Sequence, residues 1–259
     1  MNFKEQNETA TALSEPVNKL TVPLVSSIGK TLQDVWELVF GGFDTFVEKK
    51  KIERQKAIDD FKASLNTKVS AIPESQLQEP KVSVIGPALE ASKYYFEEKP
   101  LREMFANLVA SSMDSERASS IHPSFVEIIK QMSPLDAQNL LLFKSNTRSL
   151  PIAEYRMITN PGYTVLQTNV FLANEKVQDI PAQAVSIASL VRLGLIATSF
   201  EMHLTDSSRY ASFEQTPFFT SWKKRFALDG APKISVAQGI AFLTPLGSDF
   251  RKVCLDDKS

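Results

Sequence analysis

The chain has 259 residues, 43% of them hydrophobic and 23% charged, and a formal net charge of −1. This is the composition of a globular protein with enough chain for one large or two ordinary domains, and the balanced charge excludes a global pull toward nucleic acid or anionic lipid. A single cysteine, Cys254, excludes an intramolecular disulfide and fits a reducing cytoplasm.

No run approaches ~18 uninterrupted apolar residues, so no segment is expected to span a bilayer. The polar stretch Met1–Asn18 lacks the apolar core of a signal peptide. The two halves differ mildly in charge. Residues 1–139 carry 16 basic and 20 acidic side chains, and residues 140–259 carry 13 and 10. A solvated surface explains that difference as well as any partner does.

Residues 1–13 are polar and read as a frayed start. After Pro23, Leu24–Val47 carries a broad helical stripe that includes Leu32, Val35, Trp36, Val39, Phe40 and Phe43. Gly41-Gly42 weakens it, by about 1 kcal/mol per glycine relative to alanine. Two readings compete for this stripe. It is a core helix, or it is an interfacial helix whose Leu32, Val35, Trp36, Val39 and Phe43 meet a membrane or a partner. The cations Lys49, Lys50 and Lys51 follow the stripe instead of lining it, which favours the core reading. Ser27-Ile28-Gly29-Lys30-Thr31 imitates the end of a phosphate-binding loop. Leu24 stands where the first glycine belongs, so nucleotide binding is rejected.

A charged helix, FVEKKKIERQKAIDDFKASLNTKV, comes next, and then the Pro73- and Pro80-bearing stretch 71–82 reads as a linker. Helical patterning resumes near Val84, with Gly86-Pro87 at its start, and continues to about Phe96. Three consecutive aromatics, Tyr94, Tyr95 and Phe96, cannot share one helix face, so at least one should touch a different element. Pro100 suits a first helical turn, and Leu101, Met104, Phe105, Leu108, Val109 and Met113 follow on one face, with Arg102, Glu103 and Asn107 off it. His122-Pro123 starts a second helix on Phe125, Ile128, Ile129 and Met132. Ser133-Pro134 starts a third, with Ser133 as N-cap and Asp136 near the positive end of the dipole.

The runs EEKPLREMFANLVASSMD and HPSFVEIIKQMSPLDA in this region resemble the core of the bacterial abortive-infection alpha (Abi-alpha) family. The resemblance covers roughly Lys81 to Cys254. It implies a role in limiting phage propagation, often at the expense of the infected cell. It supplies no catalytic residues to carry over.

After Lys144 the period changes. Pro151–Ile158 and Thr164–Leu172 are strand-like and flank the turn Asn160-Pro161-Gly162, as in a hairpin. Pro181 opens a helix that ends at Gly194 as a C′ residue. Leu195–Thr205 reads as a strand, Thr216–Phe226 as a short helix, Lys233–Leu243 as a strand and Pro245–Leu255 as a last helix. SLVRLGLIA and IAFLTPLGSDF resemble phrases of winged-helix transcription factors. A helix that enters the major groove needs Arg, Lys, Asn or Gln at its exposed positions, and this one offers only Arg192. The Asp206–Pro232 connection is also far longer than a usual wing. The reading is a winged-helix-like packing module without DNA readout.

Two isolated histidines, His122 and His203, and one cysteine do not make a metal site, and no cofactor is expected. His122 reads as a cap at a helix start and His203 as a half-exposed strand residue. Glu97, Glu98, Glu103, Asp114 and Glu116 read as a solvated helix face. The best local binding candidate is Trp222, Lys223, Lys224 and Arg225, three cations flanked by Trp222 and Phe226. A surface helix anchored by its aromatics has the same composition.

The expected fold is mostly α: an N-terminal helical segment with linker over 1–80, a central helical core over 81–149, and a winged-helix-like α/β region over 150–259. The expected function is non-enzymatic phage defence through a protein partner, a second copy of the chain or a membrane surface. A nucleic-acid-binding winged helix is the alternative. The expected location is the cytoplasm, at the periphery of the inner membrane if the N-terminal stripe is interfacial.

Overall fold

The computed structural model describes residues 27–41, 48–144, 149–226 and 232–256. Helices dominate, accompanied by one four-stranded antiparallel sheet. The chain divides into two units, one running through Val126 and including Asp256, the other Glu127–Leu255.

In the first unit, α1 (Ser27–Phe40) and α2 (Glu48–Ser70) supply an aromatic cluster. α2 buries Ile58, Phe61, Leu65 and Val69, spaced three or four residues apart on one face. Trp36 lies 4.3 Å from Phe40 and 6.0 Å from Phe61, ring centre to ring centre. Phe96 closes the cluster at 5.9 Å from Phe40 and 5.4 Å from Phe61. It is therefore one member of the Tyr94-Tyr95-Phe96 triplet that reaches other elements. Tyr95 lies against Phe105 at 5.6 Å, and Tyr94 is exposed.

α3 (Val82–Ser92) begins earlier than its proline suggests, so Gly86-Pro87 lies inside the helix and not at its start. The Lys81 carbonyl organises that first turn by accepting from the N–H groups of Val84 and Ile85, at 2.8 and 3.1 Å. α4 (Lys99–Ser112) carries Pro100 in its first turn. Its expected apolar face is buried, but so is Asn107, and every residue from Met104 to Ser112 is buried. α2 and α3 both pack on it. The sequence pattern shows one face, whereas the structure encloses the helix.

The stretch 71–82 is tied down along its length. A 3-10 turn over Glu74–Gln76 leads to Leu77, which bridges Asp114. The Gln78 N–H donates to the Met113 carbonyl at 2.9 Å, and its side-chain amide donates to the Ser112 carbonyl at 3.1 Å. These bonds satisfy carbonyls at the end of α4 that have no partner within the helix.

α5 (Phe125–Gln131) leads into α6 (Pro134–Leu140), where the Ser133 cap is complete. The Asp136 N–H donates to Ser133 Oγ at 3.1 Å, and the Ser133 N–H donates to Asp136 Oδ2 at 2.8 Å. Ser133→Ala removes one half of this capping box and should cost about 1 kcal/mol. Urea unfolding of the variant checks it, and an unchanged midpoint would show that the cap carries no stability.

β1 (Ser149–Ile158) and β2 (Tyr163–Phe171) form the expected hairpin. With β3 (Ile196–Ser199) and β4 (Lys233–Leu243) the sheet order is β2-β1-β4-β3. β3 is far shorter than the expected strand to Thr205. It pairs with β4 only through Ser199, opposite Ile240, and at the next position of β4 the Tyr210 hydroxyl takes the Gly239 carbonyl at 2.8 Å. His203 is thus exposed in an irregular segment and is not a strand residue.

α7 (Ile180–Arg192) is capped at both ends. Asp179 accepts from the Ala182 N–H at 3.0 Å. Gly194, at φ +73°, closes the other end. Its N–H donates to the Val191 carbonyl and that of Leu195 to the Leu190 carbonyl, the two bonds of a Schellman motif. A buried polar layer joins α7 to α6. The Asn139 side-chain amide donates to Gln183 and Ser186 at 2.8 and 2.9 Å, and accepts from Asn174 at 2.8 Å. After β3, a 3-10 segment over Ser207–Gln215 precedes α8 (Pro217–Arg225), and α9 (Pro245–Cys254) ends the unit.

Candidate interaction site

α8 starts at Thr216, whose hydroxyl accepts from the Phe219 N–H at 3.1 Å, with Pro217 in the first turn. One side of the helix is bound to the core. Phe219 is buried beside Tyr155 at 5.1 Å, in a cluster with Ala153, Phe213 and Ile234. The Tyr155 hydroxyl donates to the Phe213 carbonyl at 2.8 Å and lies 2.9 Å from Thr216 Oγ1, so the cap and the core share one hydrogen-bond chain. Burial pushes the Tyr155 phenol above its ordinary pKa, which keeps it neutral.

The other side carries the charge. Lys223, Lys224 and Arg225 occupy the last turn, where cations complement the helix dipole, and all three are exposed. Trp222 and Phe226 stack at 5.8 Å with an interplanar angle of 4°, and the Arg225 guanidinium lies 5.4 Å from the Trp222 ring centre. The indole is half-buried and packs within the protein on Phe226 and Arg225. A cavity of about 550 Å³ beside the helix is lined by Lys223, Phe219, Phe226, Glu214, Lys233 and Val236.

The N-terminal stripe occupies a different environment. Leu32 and Trp36 are fully buried, Val35 and Val39 are buried, and Phe43 lies outside the described residues. The indole Nε1 of Trp36 has no hydrogen-bond partner among the described residues.

His122 Nδ1 accepts from the Ser124 N–H at 3.2 Å and lies 2.7 Å from Ser124 Oγ, a local cap. Cys254 is buried, and desolvation pushes its thiol well above its usual pKa, which suits neither a nucleophile nor a metal ligand. Of the carboxylates read as a solvated face, Asp114 is only 1% exposed, which corrects that reading. It accepts from the Glu116 N–H at 3.0 Å and lies 3.8 Å from Arg117 Nε. Glu103 accepts from Ser64 at 2.6 Å and pairs with Lys68 at 3.3 Å. Asp114, Arg117, Ser64 and Lys68 line a cavity of about 360 Å³ between the ends of α2 and α4. The spacing along α4 gave no sign of it, because α2 supplies the opposite wall.

Among the described residues, no helix is long and apolar enough to cross a membrane, and no group of three His, Cys, Asp or Glu side chains is placed to hold a metal ion. These features define a helix-dominated α/β protein with a cationic surface helix held on an aromatic base. The chain belongs to the abortive infection alpha family, which it matches over residues 53–254. That match starts well before the Lys81 boundary read from the sequence and takes in most of α2. No curated protein and no solved structure matches the chain. Membership ties it to abortive infection, by which bacteria limit phage.

Proposed function

We propose that this chain acts in abortive infection by binding and not by catalysis, with α8 as its contact element and an acidic protein surface as the partner. One observation carries the reading: three exposed cations, Lys223, Lys224 and Arg225, sit on a helix whose aromatic side is fixed to the core. Such a patch meets a partner without reorganising, which limits the entropy lost on binding. The test is a Lys223→Glu, Lys224→Glu, Arg225→Glu variant in phage-challenged bacteria. Protection should be lost while the melting curve of the purified variant stays that of the parent. Retained protection would remove α8 from the mechanism.

The nucleic-acid reading has its own support. α7 is followed by the antiparallel pair β3–β4, an order found in winged helices. Two features set the arrangement apart: the β1–β2 hairpin precedes α7, and α8 with its 3-10 segment separates β3 from β4. Phosphate contacts through α8 would bind duplexes without sequence preference. Salt-sensitive retention of duplexes irrespective of their sequence, lost in the Lys223→Glu, Lys224→Glu, Arg225→Glu variant, would favour this reading over an acidic protein. Membrane contact through Leu32, Val35, Trp36 and Val39 is placed behind both. It requires α1 to leave its cluster, and each large side chain withdrawn forfeits ~1.5–3 kcal/mol of burial.

A further inference from the structure

The outward face of α7 lacks the polarity that a surface helix normally has. Its inner side is fully used, by β2, β3 and α6. Its outer side presents Pro181, Val185, Ala188, Val191 and Arg192, all exposed, with Val185 at 70% and Val191 at 37%. The helix has no charged residue before Arg192. Surface helices ordinarily place charged and polar groups on that side. Positions 181, 185, 188 and 192 form one stripe at the spacing of helix neighbours.

The geometry points to a second copy of this chain as the occupant, docked with its own α7 antiparallel across a two-fold axis. The stripe is self-complementary in this arrangement. An axis midway along the stripe sets Val185 against Ala188 of the second copy, and Ala188 against the second copy's Val185, so a large side chain meets a small one twice. It also brings Arg192 to the N-terminal end of the facing helix, where Asp179 is exposed. An isologous interface repeats that opposite-charge pairing at both ends. The two helix dipoles then run in opposite directions, and each C-terminal cation lies near a capping carboxylate. Arg192 is already oriented by its bond to Gln131 Oε1 at 2.9 Å. A nucleic-acid groove is a poorer occupant, because the face between Pro181 and Val191 offers no cation to a phosphate. This inference does not depend on α8 or on the acidic partner proposed for it.

The test is the solution mass of the full chain by light scattering and sedimentation equilibrium, at concentrations up to about 100 µM. The wild type should approach twice its 28.8 kDa. Val185→Lys should return it to the monomer mass. An exposed valine exchanged for a good helix former should leave the fold intact, and circular dichroism checks that. Val165→Lys, at a similarly exposed apolar position on β2, should leave the dimer in place. Arg192→Glu should weaken the dimer, and added salt should weaken the wild type. A wild type that stays monomeric at the highest concentration overturns the proposal. So does a dimer that survives Val185→Lys, or one that is lost in Val165→Lys instead.

Discussion

Phe105→Ala should destabilise the first unit by about 3–5 kcal/mol. The ring has no exposed surface and sits on α4, where every residue from Met104 to Ser112 is buried. Its neighbours cannot close the space it leaves. Tyr95 packs on it from outside the helix, and α2 and α3 hold α4 along its length. The loss therefore combines transfer of the ring to water with an unfilled cavity. Urea unfolding followed by circular dichroism measures it. Tyr94→Ala, at a position 76% exposed, serves as the comparison and should stay within about 0.5 kcal/mol of wild type. A Phe105→Ala protein as stable as its parent would mean that α4 is not the centre of this unit.

Gly247→Ala should cost the second unit about 3 kcal/mol or more, at or beyond the upper end of ordinary overpacking. A Cβ at this position would lie 1.8 Å from the carbonyl oxygen of Leu195 and 2.7 Å from its carbonyl carbon. Both are backbone atoms, so no rotamer change relieves the clash. The approach is held from the other side too. The Thr244 N–H donates to the Leu195 carbonyl at 3.1 Å, and its hydroxyl donates to the Gly194 carbonyl at 2.5 Å. The first turn of α9 is thereby fastened to the end of α7, and only a residue without a side chain fits between them. Alanine gains about 1 kcal/mol of helix propensity, far less than the clash costs. Gly86→Ala should cost far less. It lies inside α3, where a Cβ meets nothing within 4 Å beyond its chain neighbours, and the propensity gain of up to about 1 kcal/mol offsets the crowding of that Cβ against Pro87. Thermal unfolding of the two variants side by side decides the matter. A Gly247→Ala protein that melts with the wild type would show that α9 can shift off Leu195 without loss.

Much of the local structure was legible because local rules govern it. Ser133 with Asp136 announced a capping box, and it is complete. Asn160-Pro161-Gly162 between two strand-like runs announced the hairpin of β1 and β2. Pro181 and Gly194 marked the two ends of α7 to within a residue. The runs flanking Pro100 and His122 also carried the family, since they fall within the stretch that matches it. The charge and aromatic content of 222–226 was legible as well, and the cations are exposed on a helix.

Tertiary structure decided what a one-dimensional pattern does not encode. Apolar spacing on α4 shows which residues are buried, but not that Asn107 and Asp114 join them, since that depends on α2 and on the stretch 71–82 lying alongside. The end of β3 at Ser199 was set by Tyr210, a side chain eleven residues further on that takes the next carbonyl of β4. That Trp222 stacks on Phe226 beside Arg225 is likewise a feature of the folded helix. The sequence by itself determined where helices and turns begin and end, because caps, prolines and glycines act over three or four residues. Only the tertiary structure decided which polar groups are enclosed and which apolar faces stay open. Burial is a property of what packs opposite a residue, and that neighbour is distant in the chain.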